Sequence, residues 1–127
     1  MRLTILVLAL LVGCTPSAKG FGDAAIKLSC QRSEECSKAD FDAAFSSQSD
    51  CVESLGKDNS KVTDCQAAAC DYNPKAAGKC LSGTKKQSCE EFNSNTVSDC
   101  ENVYSNCNAT ALTTCLADAG LSFDTGN

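Results

Sequence analysis

The chain has 127 residues, a net charge of −5, eleven cysteines, no histidine and no tryptophan. The missing histidine removes Ser–His and Cys–His nucleophile pairs, histidine general bases and His-ligated metal sites together. The acidic balance, with no basic run longer than Lys85 and Lys86, argues against phosphate-backbone binding, so no nucleic acid partner is expected.

The first element is a leader at residues 1–13. Met1 and Arg2 precede an apolar run at 3–12 in which only Thr4 is polar. That run has signal-peptide length and is too short to span a bilayer permanently. It ends Leu11-Val12-Gly13-Cys14, which resembles the lipobox of bacterial lipoproteins. The resemblance implies diacylglyceryl transfer to the Cys14 thiol, cleavage before Cys14 and anchoring by palmitate-type acyl chains. Each buried methylene contributes roughly 0.8 kcal/mol, so two or three chains hold firmly. Thr15 stands where an Asp would suggest inner-membrane retention, which points to the outer membrane. Residues 15–22 (TPSAKGFG) contain Pro and two Gly and read, with Cys14, as a lipidated N-terminus and tether at 14–22.

Short helices follow through a domain at 23–121. Ala24 with Leu28 and Ile26 with Cys30 have helical spacing in 23–36. Ser37 with Asp40 caps a stretch at 41–45. Ser47 caps a helix carrying Cys51, Val52 and Leu55 that Gly56 is expected to stop. Asn59 or Ser60 opens another with Val62, Cys65 and Ala69 on one face. Asn73-Pro74 starts the next, proline's fixed φ suiting the first helical position, and Gly83 is expected to end it. Ser98-x-x-Glu101 reads as a capping box before Val103 and Cys107. Asn108 caps the last helix, closed by Gly120, and residues 122–127 form a tail. No hairpin dipeptide or sustained alternation indicates a sheet. The expected fold is all-α, a small bundle of short helices of two or three turns, cross-linked by about five disulfides.

The cysteines are the scaffold. Cys14 accounts for the odd count, leaving Cys30, Cys36, Cys51, Cys65, Cys70, Cys80, Cys89, Cys100, Cys107 and Cys115 to pair in an oxidising compartment. Short isolated helices are marginal in water, so the bridges are expected to be essential, each stabilising by roughly 2–4 kcal/mol. Ten cysteines allow about 945 pairings, and spacing does not choose among them. Segments 30–56, 65–83 and 100–120 share a weak pattern of three cysteines, a capped helix and a nearby Gly, as in a duplication.

The cysteine spacing with Phe41, Phe45 and Val52, the run Cys70-Asp71-Tyr72-Asn73-Pro74 leading to Cys80, Leu81 and Cys89, and the string Asp99-Cys100-Glu101-Asn102-Val103-Tyr104 resemble small cysteine-rich lipoproteins of myxobacteria and related deltaproteobacteria. The resemblance covers about residues 23–107 and implies a helical, disulfide-bonded, lipid-anchored domain of uncharacterised function. The segment from Asn108, with Cys115, lies beyond that pattern.

Other chemistry has little support. There is no C-x-x-C, so thioredoxin-like, zinc-ribbon and haem-attachment motifs are missing. Glu34 with Glu35, Glu90 with Glu91, and Asp40 with Asp42 read as solvated faces, not as an acid/base pair, which needs two unlike environments. Asp58, Asn59, Ser60 and Asp64 lack the turn glycine of a calcium loop. Tyr72, Tyr104, Phe41, Phe45 and Phe92 read as core before recognition patch. Asn108-Ala109-Thr110 matches a glycosylation sequon of little meaning in a bacterium. No cofactor, metal or enzymatic activity is expected. The expected function is that of a non-enzymatic lipoprotein, attached to membrane through Cys14, that binds an envelope or extracellular protein or serves the envelope structurally. The alternative is a freely secreted, disulfide-rich effector or inhibitor.

Overall fold

The computed structural model describes residues 15–95 and 100–121. The leader 1–13, Cys14, Ser98 of the expected capping box and the tail 122–127 lie outside the described residues. Six helices are described: α1 (Ala18–Cys36), α2 (Lys38–Ala44), α3 (Gln48–Ala69), α4 (Pro74–Lys86), α5 (Cys89–Asn93) and α6 (Ala109–Asp118). Two residues of β1 (Asp71–Tyr72) pair antiparallel with β2 (Tyr104–Ser105). The fold is thus all-α and disulfide-rich, with one small bridge of β structure. None of the described helices is long and apolar enough to cross a membrane.

Side-chain caps set most helix starts, because the first N–H groups of a helix lack internal partners. The Ser17 hydroxyl accepts from Gly20 N at 3.1 Å, Ser47 from Asp50 N at 3.1 Å, Asn73 Oδ1 from Ala76 N at 3.0 Å and Asn108 Oδ1 from Ala111 N at 3.0 Å. The Asp50 carboxylate in turn accepts from the Ser46 N–H and hydroxyl, which hold it below the usual Asp range. Ser37 precedes α2 without a side-chain capping bond. Gly120 (φ +77°) ends α6 in the left-handed region that glycine adopts freely, with Leu121 N donating to Leu116 O.

Five local expectations are corrected. Helix α1 begins at Ala18, so most of the stretch read as tether is helical: Ser17 caps it and Phe21 packs against the core around Val103. Gly56 does not stop a helix, and α3 runs 22 residues through it. A mid-helix glycine costs about 1 kcal/mol, less than the packing of α3 along α1 returns. Helix α4 likewise passes Gly83 to reach Lys86, and α1 and α3 exceed three turns. No helix forms at 100–105: residues 100–102 turn and Tyr104 enters β2. A reciprocal capping box lies at Ser88 and Glu91, where Ser88 N donates to Glu91 Oε2 at 2.8 Å and Glu91 N to Ser88 Oγ at 3.2 Å.

The ten cysteines after Cys14 form five bridges. Three are nested: Cys65–Cys115 encloses Cys70–Cys107, which encloses Cys80–Cys100. The β pair lies between the inner two, with Tyr72 opposite Tyr104 and Asn73 N donating to Val103 O at 2.8 Å. Cys30–Cys51 joins α1 to α3, and Cys36–Cys89 ties the end of α1 to α5. The three cysteine triplets therefore do not share one bridging pattern: the second and third are cross-linked to each other, whereas the first closes on itself and on Cys89.

These links fix helix directions. Cys30 meets Cys51 while Gly22 faces Thr63, so α1 and α3 are antiparallel. Cys65 meets Cys115 while Asn108 N donates to Ala69 O, so α6 is antiparallel to α3. Phe21 meets Tyr72 while Arg32 meets Gln87, so α4 runs parallel to α1. The starts of α1, α4 and α6 thus share one end of the domain. The core is small and sulfur-rich, one cluster around Cys30, Phe41 and Cys51 and another around Ala77, Cys80 and Val103.

Candidate functional site

The aromatic residues fall into two groups at opposite ends of α1, not into one patch. At its start, Phe21 lies 6.4 Å by ring centroid from both Tyr72 and Tyr104, which are 5.5 Å apart. The β register places the two tyrosines side by side, and the Tyr72 hydroxyl donates to Pro16 O at 2.6 Å. Burial raises the phenol pKa of both, and for Tyr104 the Tyr72 charge adds to it. The Tyr104 hydroxyl is buried without a hydrogen-bond partner among the described residues.

At the far end of α1, Phe41, Phe45 and Phe92 line a cavity of about 230 Å³ with Ser33, Ser37, Asp40 and Asn93. Phe41 is buried and its ring lies 5.4 Å from that of Phe45. Phe92 comes from α5, held there by Cys36–Cys89 and by Arg32, whose guanidinium sits 5.7 Å from the ring centroid. The same guanidinium donates to Gln87 O at 2.5 Å and to Glu35 Oε2 at 2.6 Å. Arg32 therefore locks the end of α1 to the α4–α5 connection and sets the position of one cavity wall.

Charge around this cavity is uneven. Lys38 is shared by Asp42 at 3.0 Å and Glu34 at 3.7 Å, and Asp42 above all raises its pKa. Glu35 is taken by Arg32. Asp40 alone lines the cavity as a carboxylate and makes no ion pair among the described residues. Aromatic faces carry negative quadrupole density and attract cations. Three phenylalanines, two hydroxyls and one unpaired carboxylate suit a cationic group with apolar bulk. Among the described residues of the lining, Asp40 is the one carboxylate.

The remaining expected positions serve structure. Glu34 accepts from the Gln48 side-chain amide, which also donates to Cys30 O. Glu91 closes the α5 cap, and Asn108 caps α6. Asp58 pairs with Lys61 at 3.6 Å, while Asn59, Ser60 and Asp64 line a separate polar cleft on continuous helix, not on a turn. Cys14 lies outside the described residues. Sequence reasoning overlooked Arg32 and Phe21. The signal for Phe21 was an aromatic one position after a glycine in a stretch that Ser17 can cap, whereas nothing local marks Arg32. No protein-family model, curated protein or solved structure matches this chain.

Proposed function

We propose that the chain is a lipid-anchored cysteine-rich lipoprotein of the bacterial envelope, of the myxobacterial type. In this reading its domain is a non-enzymatic binding module. The observation that carries the reading is cysteine parity. Five bridges consume the ten cysteines beyond Cys14, so the thiol of the lipobox-like Leu11-Val12-Gly13-Cys14 has no intramolecular partner left to it. A thiol kept out of the disulfide framework is the nucleophile that diacylglyceryl transfer requires. The binding role is supported by the phenylalanine-lined cavity beside Asp40, at the end of α1 remote from Cys14.

The test is the non-reducing intact mass of the protein extracted from its native cells. A chain starting at Cys14, carrying acyl chains and lacking ten hydrogens, is the expected result. A mature chain without lipid overturns the anchor and makes a freely secreted effector or inhibitor the better reading. The binding role is tested by titrating the protein with tetramethylammonium: loss of a Phe45 or Phe92 ring-proton shift on Asp40→Asn substitution is expected, and no shift in the parent protein counts against it.

A further inference from the structure

We propose that the end of the domain bearing the starts of α1, α4 and α6 rests on the phospholipid headgroup layer in one fixed orientation, with the phenylalanine cavity facing away from the membrane. This rests on the reading of Cys14 as lipid anchor. The argument is one of reach. Pro16 is fastened to the folded domain by the Tyr72 hydroxyl at 2.6 Å, and Ser17 already caps α1. Only Thr15 separates Cys14 from Pro16, two residue steps that span at most about 7 Å. A lipid buried at the bilayer surface through so short a link brings the neighbouring protein face into contact with headgroups and leaves no length for tumbling.

The face so placed is named by the helix directions. It carries Ser17 and Lys19 from α1, the latter paired with Asp23 at 3.6 Å, the exposed Asp71 of β1, and Asn73 and Lys75 at the start of α4, with Lys79 one turn further on. Lys75 and Lys79 are exposed and make no ion pair among the described residues, leaving their charge for lipid phosphates. The opposite end follows from α1 itself. Its 19 residues rise about 28 Å, and Ser33 and Ser37 of the cavity stand at its end. The anchor and the candidate binding cavity thus occupy opposite poles of one rigid, disulfide-fastened body.

The chain contains no tryptophan, so single-Trp variants report without background. Lys75→Trp and Lys86→Trp probe the near and far ends of the same helix, α4. Full-length chain is produced in a lipoprotein-processing bacterium and its mass is checked for acyl chains. It is then reconstituted into phosphatidylethanolamine–phosphatidylglycerol vesicles with brominated acyl chains. The expected result is loss of most Lys75→Trp fluorescence, none from Lys86→Trp, and recovery of the former when a flexible Gly-Ser linker is inserted between Thr15 and Pro16. Equal quenching of the two probes, no quenching of Lys75→Trp, or quenching that survives the linker overturns the orientation while leaving the anchor standing. A mass without lipid overturns both.

Discussion

Gly22 of α1 lies directly against Thr63 of α3: a Cβ on Gly22 would sit 2.7 Å from the Thr63 Oγ1 and 3.2 Å from its Cγ2. Thr63 is buried and β-branched, so its χ1 has little freedom to yield. Here glycine is required for the approach of two helices, against its cost of about 1 kcal/mol in a helix. Gly56 in α3 is the opposite case, with nothing within 4 Å of its absent Cβ. Gly22→Ala is therefore expected to destabilise by about 1–2 kcal/mol through overpacking, with recovery in Gly22→Ala/Thr63→Ala, whereas Gly56→Ala stabilises by about 0.5–1 kcal/mol. Urea titrations of the oxidised proteins measure all three.

The bridges are expected to differ in weight. Cys36–Cys89 spans 53 residues and is the only disulfide joining the α1–α3 pair to the α4–α5 stretch. Removing it by Cys36→Ala/Cys89→Ala should cost about 4 kcal/mol in the loop-entropy model. Cys65–Cys115 spans nearly as far, 50 residues, but Cys70–Cys107 inside it already restricts most of that loop. Its removal should cost only about 3 kcal/mol. Comparing the two double variants by thermal unfolding without reductant checks the order, and complete reduction should abolish the helical circular dichroism.

What the sequence made legible was local, and what it hid was non-local. Ser47, Asn73 with Pro74, Asn108 and Gly120 each act through neighbours three to five positions away, and each does what its chemistry dictates. The two Ser-x-x-Glu motifs show the limit of that logic. Ser88 with Glu91 forms the box, and at the other site the Cys80–Cys100 and Cys70–Cys107 bridges draw the chain across to β1, where Tyr104 pairs with Tyr72. The same competition explains α3, where Gly56 has the local character of a stop but the contacts on either side of it, Cys30–Cys51 and Gly22 against Thr63, are both made to α1. Cavity residues were visible as aromatics but not as a cavity, because Phe92 reaches Phe41 and Phe45 only through a disulfide 53 residues long in sequence and through Arg32.

Alkaline pH offers a probe of the tyrosine pair. Tyr72 and Tyr104 are the only tyrosines in the chain, so tyrosinate absorbance reports on them alone. Burial raises both folded-state values above the ordinary tyrosine value of about 10. The sign follows: the unfolded chain loses these protons first, so their contribution to stability is complete below about pH 10 and fades as pH climbs through the folded values. Native protein should titrate at higher pH than protein in denaturant, with Tyr104 following Tyr72 because the first phenolate repels the second. Tyr72→Phe should leave a single, earlier step and release Pro16. Coincident native and denatured curves would contradict the burial of this pair.

Arg32 separates a structural cation from a surface ion pair. Its side chain is 13 % exposed while that of its partner Glu35 is 61 % exposed, so the pair itself should contribute no more than a few tenths of a kcal/mol. The heavier contacts are the donation to Gln87 O and the guanidinium over Phe92. Lysine keeps the charge but lacks the planar fork that reaches both at once. Arg32→Lys should therefore cost about 1–2 kcal/mol and Arg32→Ala about 2–3 kcal/mol, leaving the Gln87 carbonyl without its charged donor, while Glu35→Gln changes stability little. Because Arg32 fixes α5, the same variants should shift the Phe92 ring resonances, read by NMR, and Glu35→Gln should not. If Glu35→Gln instead costs as much as Arg32→Lys, the ion pair and not the carbonyl and ring contacts holds this corner of the fold.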